Sequence, residues 1–405
     1  MTSAPARTTP AVVVALLPLI ATVLVLFLVT GLAIPALPLH VHQTLGLGTF
    51  IVGLVSGAQF AASLVSRVWS GRYADQRGPK RAVVAGLIAA TVAGLLYILS
   101  LHFIGVPAIS VVILLLGRAL LGGAESFIIT GAVTWGLALV DAQNAGKVIA
   151  WLGTALYAAF AVGAPAGTAL YTAHGLFVIG LATTLGPLAV LLLIARLKPM
   201  APLRRPQPPL RTVLAAVSFP GLGLAFSSLG FGAITTFVTL LFSASGWTPV
   251  WLGISAFAAA FMLVRVIFGH LPDTKGGAHV AAVSIAIEAA GLGLVWLAPS
   301  AGVAFAGALL TGVGYALVYP GFGVEAVRRV PPQSRGLAMG TYTAFFDLGI
   351  AVASPALGLV AGAAGLQAVF LVSALIVLGA AAVAVPLLNN AIPAKQGAVF
   401  EAHGD

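Results

Sequence analysis

The chain has 405 residues, 60% of them hydrophobic and 7% charged, with 19 basic side chains against 9 acidic ones. A soluble domain carries about 25% charged residues to keep its surface wetted, so a water-soluble globular class is excluded and lipid is the solvent for most of this chain. The formal net charge of +10 does not point to nucleic acid, because the basic residues form short clusters between apolar runs without interleaved aromatics. The absence of cysteine excludes disulfides, thiolate metal sites and a cysteine nucleophile.

Crossing about 30 Å of hydrocarbon takes some 20 apolar residues. On that criterion the first half predicts spans near 11–37, 50–69, 82–102, 108–132, 147–170 and 175–196. The second half predicts spans near 213–242, 250–268, 278–298, 302–325, 337–361 and 366–388. The runs are continuously apolar rather than alternating, which excludes a β-barrel. The expectation is an all-α membrane protein with twelve transmembrane helices in two pseudo-symmetric six-helix bundles. Arg7 precedes the first run, but that run is too long for the h-region of a signal peptide and is expected to be retained as a span.

With the N-terminus inside, the inside loops hold Arg72, Arg77, Lys80, Arg81, Lys147, Lys198, Arg204, Arg205, Arg211, Lys275, Arg328, Arg329 and Arg335. The opposite loops, near 40–49, 103–107, 171–174, 243–249, 299–301 and 362–365, contain no Lys or Arg. The positive-inside rule then places both termini in the cytoplasm and the protein, as a multi-pass chain, in a cell inner (cytoplasmic) membrane.

The stretch from Arg196 to Arg211 is Pro- and Arg-rich and reads as a semi-rigid connection. It divides the chain into an N-terminal bundle (1–196), a cytoplasmic linker (197–212) and a C-terminal bundle (213–405). Repeats support the division. Gly71, Asp75, Arg77 and Gly78 match Gly269, Asp273, Lys275 and Gly276 at an offset of 198 residues, and Arg67 matches Arg265 at the same offset. Gly146 and Pro165 match Gly336 and Pro355 at an offset of 190. Related halves around a midplane site are a common plan of secondary transporters.

Gly71, Asp75, Gly78 and Lys80 fit the pattern G-x-x-x-D-x-x-G-x-[RK], Gly117-Arg118 opens a Gly-rich stretch of span 4, and Gly163-Ala-Pro165-Ala-Gly167 lies in span 5. On these residues the chain resembles the major facilitator superfamily over essentially its whole length. Gln76 and Pro79 stand where that family usually has basic residues, and Ala164 replaces a usual Gly of its antiporter motif. The resemblance implies a drug:proton antiporter-like carrier, similar to the YhhS-type of bacterial inner-membrane exporters. It also implies a latch after span 2. Asp75 and Arg77 are expected at a turn where Gly71 and Gly78 permit tight geometry, with Asp75 near a helix N-terminus. Gly71, Asp75, Arg77, Gly78, Asp273 and Pro165 are therefore the expected conformational switch.

Ionisable groups at bilayer depth cost about 2.5–3.5 kcal/mol each on the insertion scale and face a cavity or a partner. Arg118 and Glu125, seven residues apart, lie near one face of span 4. Arg118 is expected to hold a carboxylate of the protein or of a substrate. Asp347 in span 11, Glu125, and Glu288 in span 9 are the candidate proton carriers, in that order, because loss of water favours the neutral form of a carboxyl. His40 and His42 lack a nearby carboxylate and read as interfacial residues rather than metal ligands. Tyr157, Trp135, Trp151, Tyr342, Phe345 and Phe346 are candidates to line a cavity, with helix packing as the blander reading. Most of the 48 glycines are expected at close helix contacts, and Pro165, Pro320 and Pro355 are expected to kink or break their helices.

The functional expectation is a monomeric, proton-coupled transporter that exports small organic molecules by alternating access and uses no cofactor. There is no G-x-x-x-x-G-K-[ST] loop for ATP, and neither H-E-x-x-H nor G-x-S-x-G for an intramembrane enzyme. The rival readings are a symporter or uniporter taking up a sugar or organic acid, and, from another class, a membrane receptor or scaffold.

Overall fold

The computed structural model describes residues 9–140, 144–199, 210–331 and 334–389, and among them there are helices and no strands. Inside lipid every backbone N–H and C=O must find a partner within its own segment, which is why these apolar runs become helices. In the first half α1 is Thr9–Leu39, α2 Thr49–Arg77, α3 Pro79–Ser100, α4 Pro107–Leu139, α5 Ala145–His174 and α6 Leu176–Ala195. In the second half α7 is Leu210–Ala233, α8 Leu252–Phe268, α9 Gly277–Trp296, α10 Ala301–Arg328, α11 Arg335–Ala364 and α12 Leu366–Gly379. A π-helical turn, His40–Thr44, continues α1; a second, Ile234–Val238, continues α7 and leads into the helix Thr239–Ala244. A short helix, Leu271–Lys275, follows α8, and Ala381–Asn389 follows α12.

Eleven of the helical spans among the described residues are long and apolar enough to cross a membrane. The twelfth, α8, is a shorter apolar helix of 17 residues. The first half packs through α1–α5, α2–α4, α3–α4 and α3–α6, and the second through α9–α10, α7–α11, α8–α10 and α9–α12. The halves meet chiefly along α2–α11 and α5–α8. Side chains such as Leu17, Val112, Leu192, Leu263, Val266 and Leu375 point outward, as expected of surfaces whose solvent is hydrocarbon.

Lipid gives helices no hydrophobic reason to associate, so close approach of small residues does that work. A Cβ at Gly163 or Gly167 of α5 would strike the carbonyls of Leu28 or Leu32 of α1, and one at Gly53 of α2 would strike the Ser354 carbonyl of α11. Pro165, Pro320 and Pro355 do not break their helices: α5, α10 and α11 run through them.

Two expectations change. The helix α2 runs eight residues beyond the predicted end at 69, so Asp75 and Arg77 lie in its last turns and not in a connecting turn. The connection is Gly78 alone, with φ +93°, matched by Gly276 with φ +93° in the second half. Only glycine adopts that conformation freely. Gly71 is inside the helix with open space around it, so it is not a turn residue. Asp75 accordingly sits toward the C-terminal end of α2 rather than at a helix N-terminus along the chain. Of the linker, Arg204 and Arg205 lie outside the described residues.

Candidate functional site

Gln59, Ser63 and Arg67 recur every four residues and so share one face of α2. That face is clamped between two helices. A Cβ at Gly122 of α4 would strike the Gln59 carbonyl, and Cβ atoms at Gly53 and Gly57 would strike the carbonyls of Ser354 and Ala351 in α11. Glycine at these points brings the polar face of α2 within hydrogen-bond range of both neighbours.

Arg67 Nε donates to Asp347 Oδ2 at 2.6 Å, an ion pair that joins the two halves. Ser63 Oγ donates to the same carboxylate oxygen at 3.2 Å. Gln59 Nε2 donates to Glu125 Oε2 at 3.1 Å, and Ser126 Oγ donates to the Ser63 carbonyl at 2.9 Å. The Asp347 carboxylate is fully buried and the Arg67 side chain is 19% exposed. Asp347 Oδ1 and Gln59 Oε1 have no hydrogen-bond partner. The charges of Asp347 and Arg67 both reach Glu125, and the charge of Arg118 reaches it more weakly. The guanidinium is bonded to Asp347 alone, and Glu125 is held by Gln59 on the same face of α2.

Of the two partners expected for Arg118, a carboxylate of the protein is not the one the structure shows. Arg118 is buried, but its Nε and Nη2 donate to the backbone carbonyls of Val55 and Ser56 at 3.3 and 3.5 Å, and among the described residues no carboxylate is within ion-pair distance. It fastens α4 to α2. The cation that meets a carboxylate is Arg67, which the sequence marked only as one end of a repeat. The predicted span ended at 69 and left Arg67 near the lipid boundary. With α2 continuing to Arg77, Arg67 stands ten residues short of the helix end and faces Asp347 of α11.

Glu288 is fully buried in the second half. It accepts a hydrogen bond from Ser227 of α7, its Oε1 faces Gly230, and Gly314 of α10 backs onto its main chain. It is thus apart from the cluster on α2, α4 and α11. Pro165 lies between the two glycines that seat α5 on α1. Lys80 donates to the carbonyls of Ala195, at 2.9 Å, and Leu197 at the C-terminal end of α6, where a cation is favoured. Arg77 is exposed and Asp75 half-buried, while Asp273 falls in the first turn of the short helix Leu271–Lys275.

A second cross-half contact joins α8 to α5. Arg265 Nη2 donates to the Tyr157 hydroxyl at 3.0 Å, Nη1 donates to the Ala316 carbonyl at 3.0 Å, and the guanidinium lies 4.5 Å from the centre of the Tyr157 ring. Phe261 and Tyr315 continue the aromatic surface, and Phe231 packs against Phe160, Phe257, Tyr315 and Phe346. Of the aromatics singled out in the sequence, Tyr157 and Phe346 belong to this cluster. Trp135 is buried in the core of the first half, Trp151 is exposed, Phe345 packs on Gly221, and Tyr342 donates to the Tyr319 carbonyl at 2.8 Å.

At the end whose loops lack Lys and Arg, Gln43 Nε2 donates to Ser243 Oγ at 2.6 Å and Thr49 Oγ1 to the Gly358 carbonyl at 2.7 Å, so the halves are fastened there as well. His40 is buried edge-on to Tyr171, with ring centres 6.2 Å apart, and the His42 ring nitrogen Nδ1 lies 3.0 Å from the Leu47 carbonyl. The two histidines thus face different partners.

The fold and sequence have relatives. A bacterial homologue of the human lysosomal transporter Spinster, in an inward-facing and occupied conformation, superposes with a TM-score of 0.75 at 14% identity, covering 95% of this chain and 98% of its own. The nucleoside transporter NupG superposes with a TM-score of 0.68 at 16% identity, covering 92% of this chain and 99% of its own. An uncharacterised MFS-type transporter of Salmonella typhimurium is 41% identical over 364 residues, 90% of this chain and 94% of that protein. The family model described as Major Facilitator Superfamily matches residues 19–278 and 252–401, and with a 41% identical relative along nearly the whole length, this multi-pass membrane chain belongs to the major facilitator superfamily of transporters.

Proposed function

We propose that the protein is a proton-coupled secondary active transporter that exports small organic molecules by alternating access. The supporting observation is the ion pair between Arg67 and Asp347 across the halves, with Glu125 held by Gln59 on the same face of α2. The Arg67–Asp347 pair is neutral while Asp347 is ionised. A proton on Asp347 removes the charge that holds Arg67, so proton binding loosens the α2–α11 junction. Protons and substrate then compete over one conformational equilibrium, which couples their flows.

In this reading Asp347 is the first proton carrier and Glu125 the second. Glu288, enclosed within the second half, drops to a structural role. The latch residues Asp75, Arg77 and Gly78, with Asp273 in the second half, act at the basic end. The bundles are 1–196 and 213–405, joined by the linker 197–212. Both termini face the cytoplasm of a cell with the protein in its inner membrane, and the working unit is a monomer. The end fastened by Gln43–Ser243 and Thr49–Gly358 is then the outer one. The sequence features shared with drug:proton antiporters and YhhS-type exporters favour export.

The test is transport in proteoliposomes. Compounds that raise the melting temperature of the purified protein are loaded inside or outside, with and without a pH gradient. Export requires that a gradient drive the compound opposite to the proton flow. Movement with the protons would make the protein a symporter, and movement indifferent to the gradient a uniporter.

A further inference from the structure

Two repeat offsets meet at the junction of the halves. Arg67 and Arg265 are 198 residues apart, and Tyr157 and Asp347 are 190 apart, the offsets that relate α2 to α8 and α5 to α11. The contacts Arg67–Asp347 and Arg265–Tyr157 are thus the same contact made twice, once in each direction between the halves. The acceptors differ in charge. Arg67 meets a carboxylate, whereas Arg265 meets a phenol hydroxyl, a backbone carbonyl and an aromatic face.

Arg265 is therefore a half-buried cation without a counter-charge. Among the described residues no carboxylate is in ion-pair distance of it. The carboxyls at this depth are committed elsewhere: Asp347 to Arg67, Glu125 to Gln59 and Glu288 to Ser227. A guanidinium carries five N–H donors in a planar fork suited to a bidentate oxyanion, and two of its nitrogens have one acceptor each here. A desolvated guanidinium with no anion is costly, and an anion brought by a ligand offsets that cost. The surroundings define the rest of the ligand. Tyr157 packs on Phe261 and Phe261 on Tyr315, a contiguous aromatic cluster beside the cation.

We infer that Arg265 and Tyr157 form the substrate's anion subsite, and that the transported class is an amphipathic organic anion with one carboxylate-type head and an apolar, aromatic-compatible body. This rests on reading the chain as a small-molecule transporter. It is independent of proton coupling.

The experiment measures equilibrium binding to the purified full-length protein, without any gradient. The probes are 2-naphthoate, the neutral 2-naphthamide and the cationic 2-naphthylmethylamine, identical in their apolar body. Naphthoate is expected to bind at least about tenfold more tightly than the amide, the scale of one charged hydrogen-bonded contact, and the amine more weakly than either. Arg265→Gln removes the preference, so that naphthoate binds no more tightly than the amide. Arg265→Lys keeps the preference at reduced strength, and Tyr157→Phe weakens naphthoate a few-fold. These two variants carry the test if Arg265→Gln does not fold. Equal binding of naphthoate and naphthamide, no binding of naphthoate, or an undiminished preference in Arg265→Gln overturns the inference. Failure of the proton-coupled reading has another signature: transport by Asp347→Asn still driven by a pH gradient, with anion binding intact.

Discussion

Ser63 of α2 donates its hydroxyl to Asp347 of α11 across the junction of the halves, at 3.2 Å, while the same oxygen lies 3.2 Å from Ser126 Oγ. The residue before Ser126 is Glu125. A short polar path thus runs from Ser126 of α4 to the α11 carboxyl through Ser63 of α2, with the Gln59–Glu125 bond one helical turn away.

The first prediction concerns that path. Asp347→Asn is expected to abolish transport driven by a pH gradient while substrate binding is retained and its dependence on pH flattens. Glu125→Gln should slow transport without abolishing it. Proteoliposome flux and binding isotherms across pH check both. Wild-type flux in each variant would overturn the assignment of proton carriers.

The ion pair also predicts a coupling in stability. Arg67→Gln leaves a buried carboxylate without its cation, and Asp347→Asn leaves a mostly buried cation without its anion, so each is destabilising. The double variant removes both charges and should be more stable than the sum of the singles implies, by about 0.5–3 kcal/mol of interaction energy. Melting temperatures of the four proteins give the cycle, and strict additivity would deny that the pair forms.

Three glycines of the first half separate packing from backbone effects. Gly53→Val places a side chain against the Ser354 carbonyl and should hold α2 away from α11, read as a longer spin-label distance between those helices. Gly78→Ala forces a side chain into φ +93°, and should lower the melting temperature through strain of about 1 kcal/mol or more. Gly71→Ala, in open space inside a helix, should stabilise α2 by about 0.5–1 kcal/mol and leave transport unchanged. A large loss of transport in Gly71→Ala would restore its expected switching role.

Topology can be checked directly. Reporters fused in the connection between Arg196 and Arg211, and at the C-terminus, are expected to give a cytoplasmic signal. A periplasmic signal from either would reverse the orientation and with it the assignment of the fastened end as the outer one.

The spans were legible because the bilayer demands long apolar runs, and the predicted ranges fall within or close to the observed helices. Their ends were not, because a helix does not stop where lipid stops. In α2 the charges at Arg72, Asp75 and Arg77 terminated the apolar run, yet the helix continues to Gly78, whose backbone turns it. That error of two turns concealed Arg67. The pairing of Arg118 was illegible for a different reason: its partners are main-chain carbonyls of α2, which have no residue type for a sequence to display. Asp347, Glu125 and Glu288 could be recognised as buried from their cost alone, but only the crossing of α2 with α4 and α11 sorts them into a pair held by one face of α2 and an enclosed residue. The repeat offsets were visible throughout, whereas their meeting at Arg265 and Tyr157 requires knowing which helices touch.

The brevity of α8 has a consequence for the surrounding lipid. Its 17 residues make a rod of about 25 Å, against a hydrocarbon thickness of about 30 Å. Leu263, Val266, Ile267 and Phe268 stay exposed to its last turn, and the exposed Trp251 precedes its first. The helix Leu271–Lys275 follows after two residues of right-handed helical backbone, so the mismatch on this flank is met by that continuation, by snorkelling side chains or by local thinning of the bilayer. Acyl-chain length is therefore expected to bear on the helix that carries Arg265, which transport in bilayers of graded thickness checks.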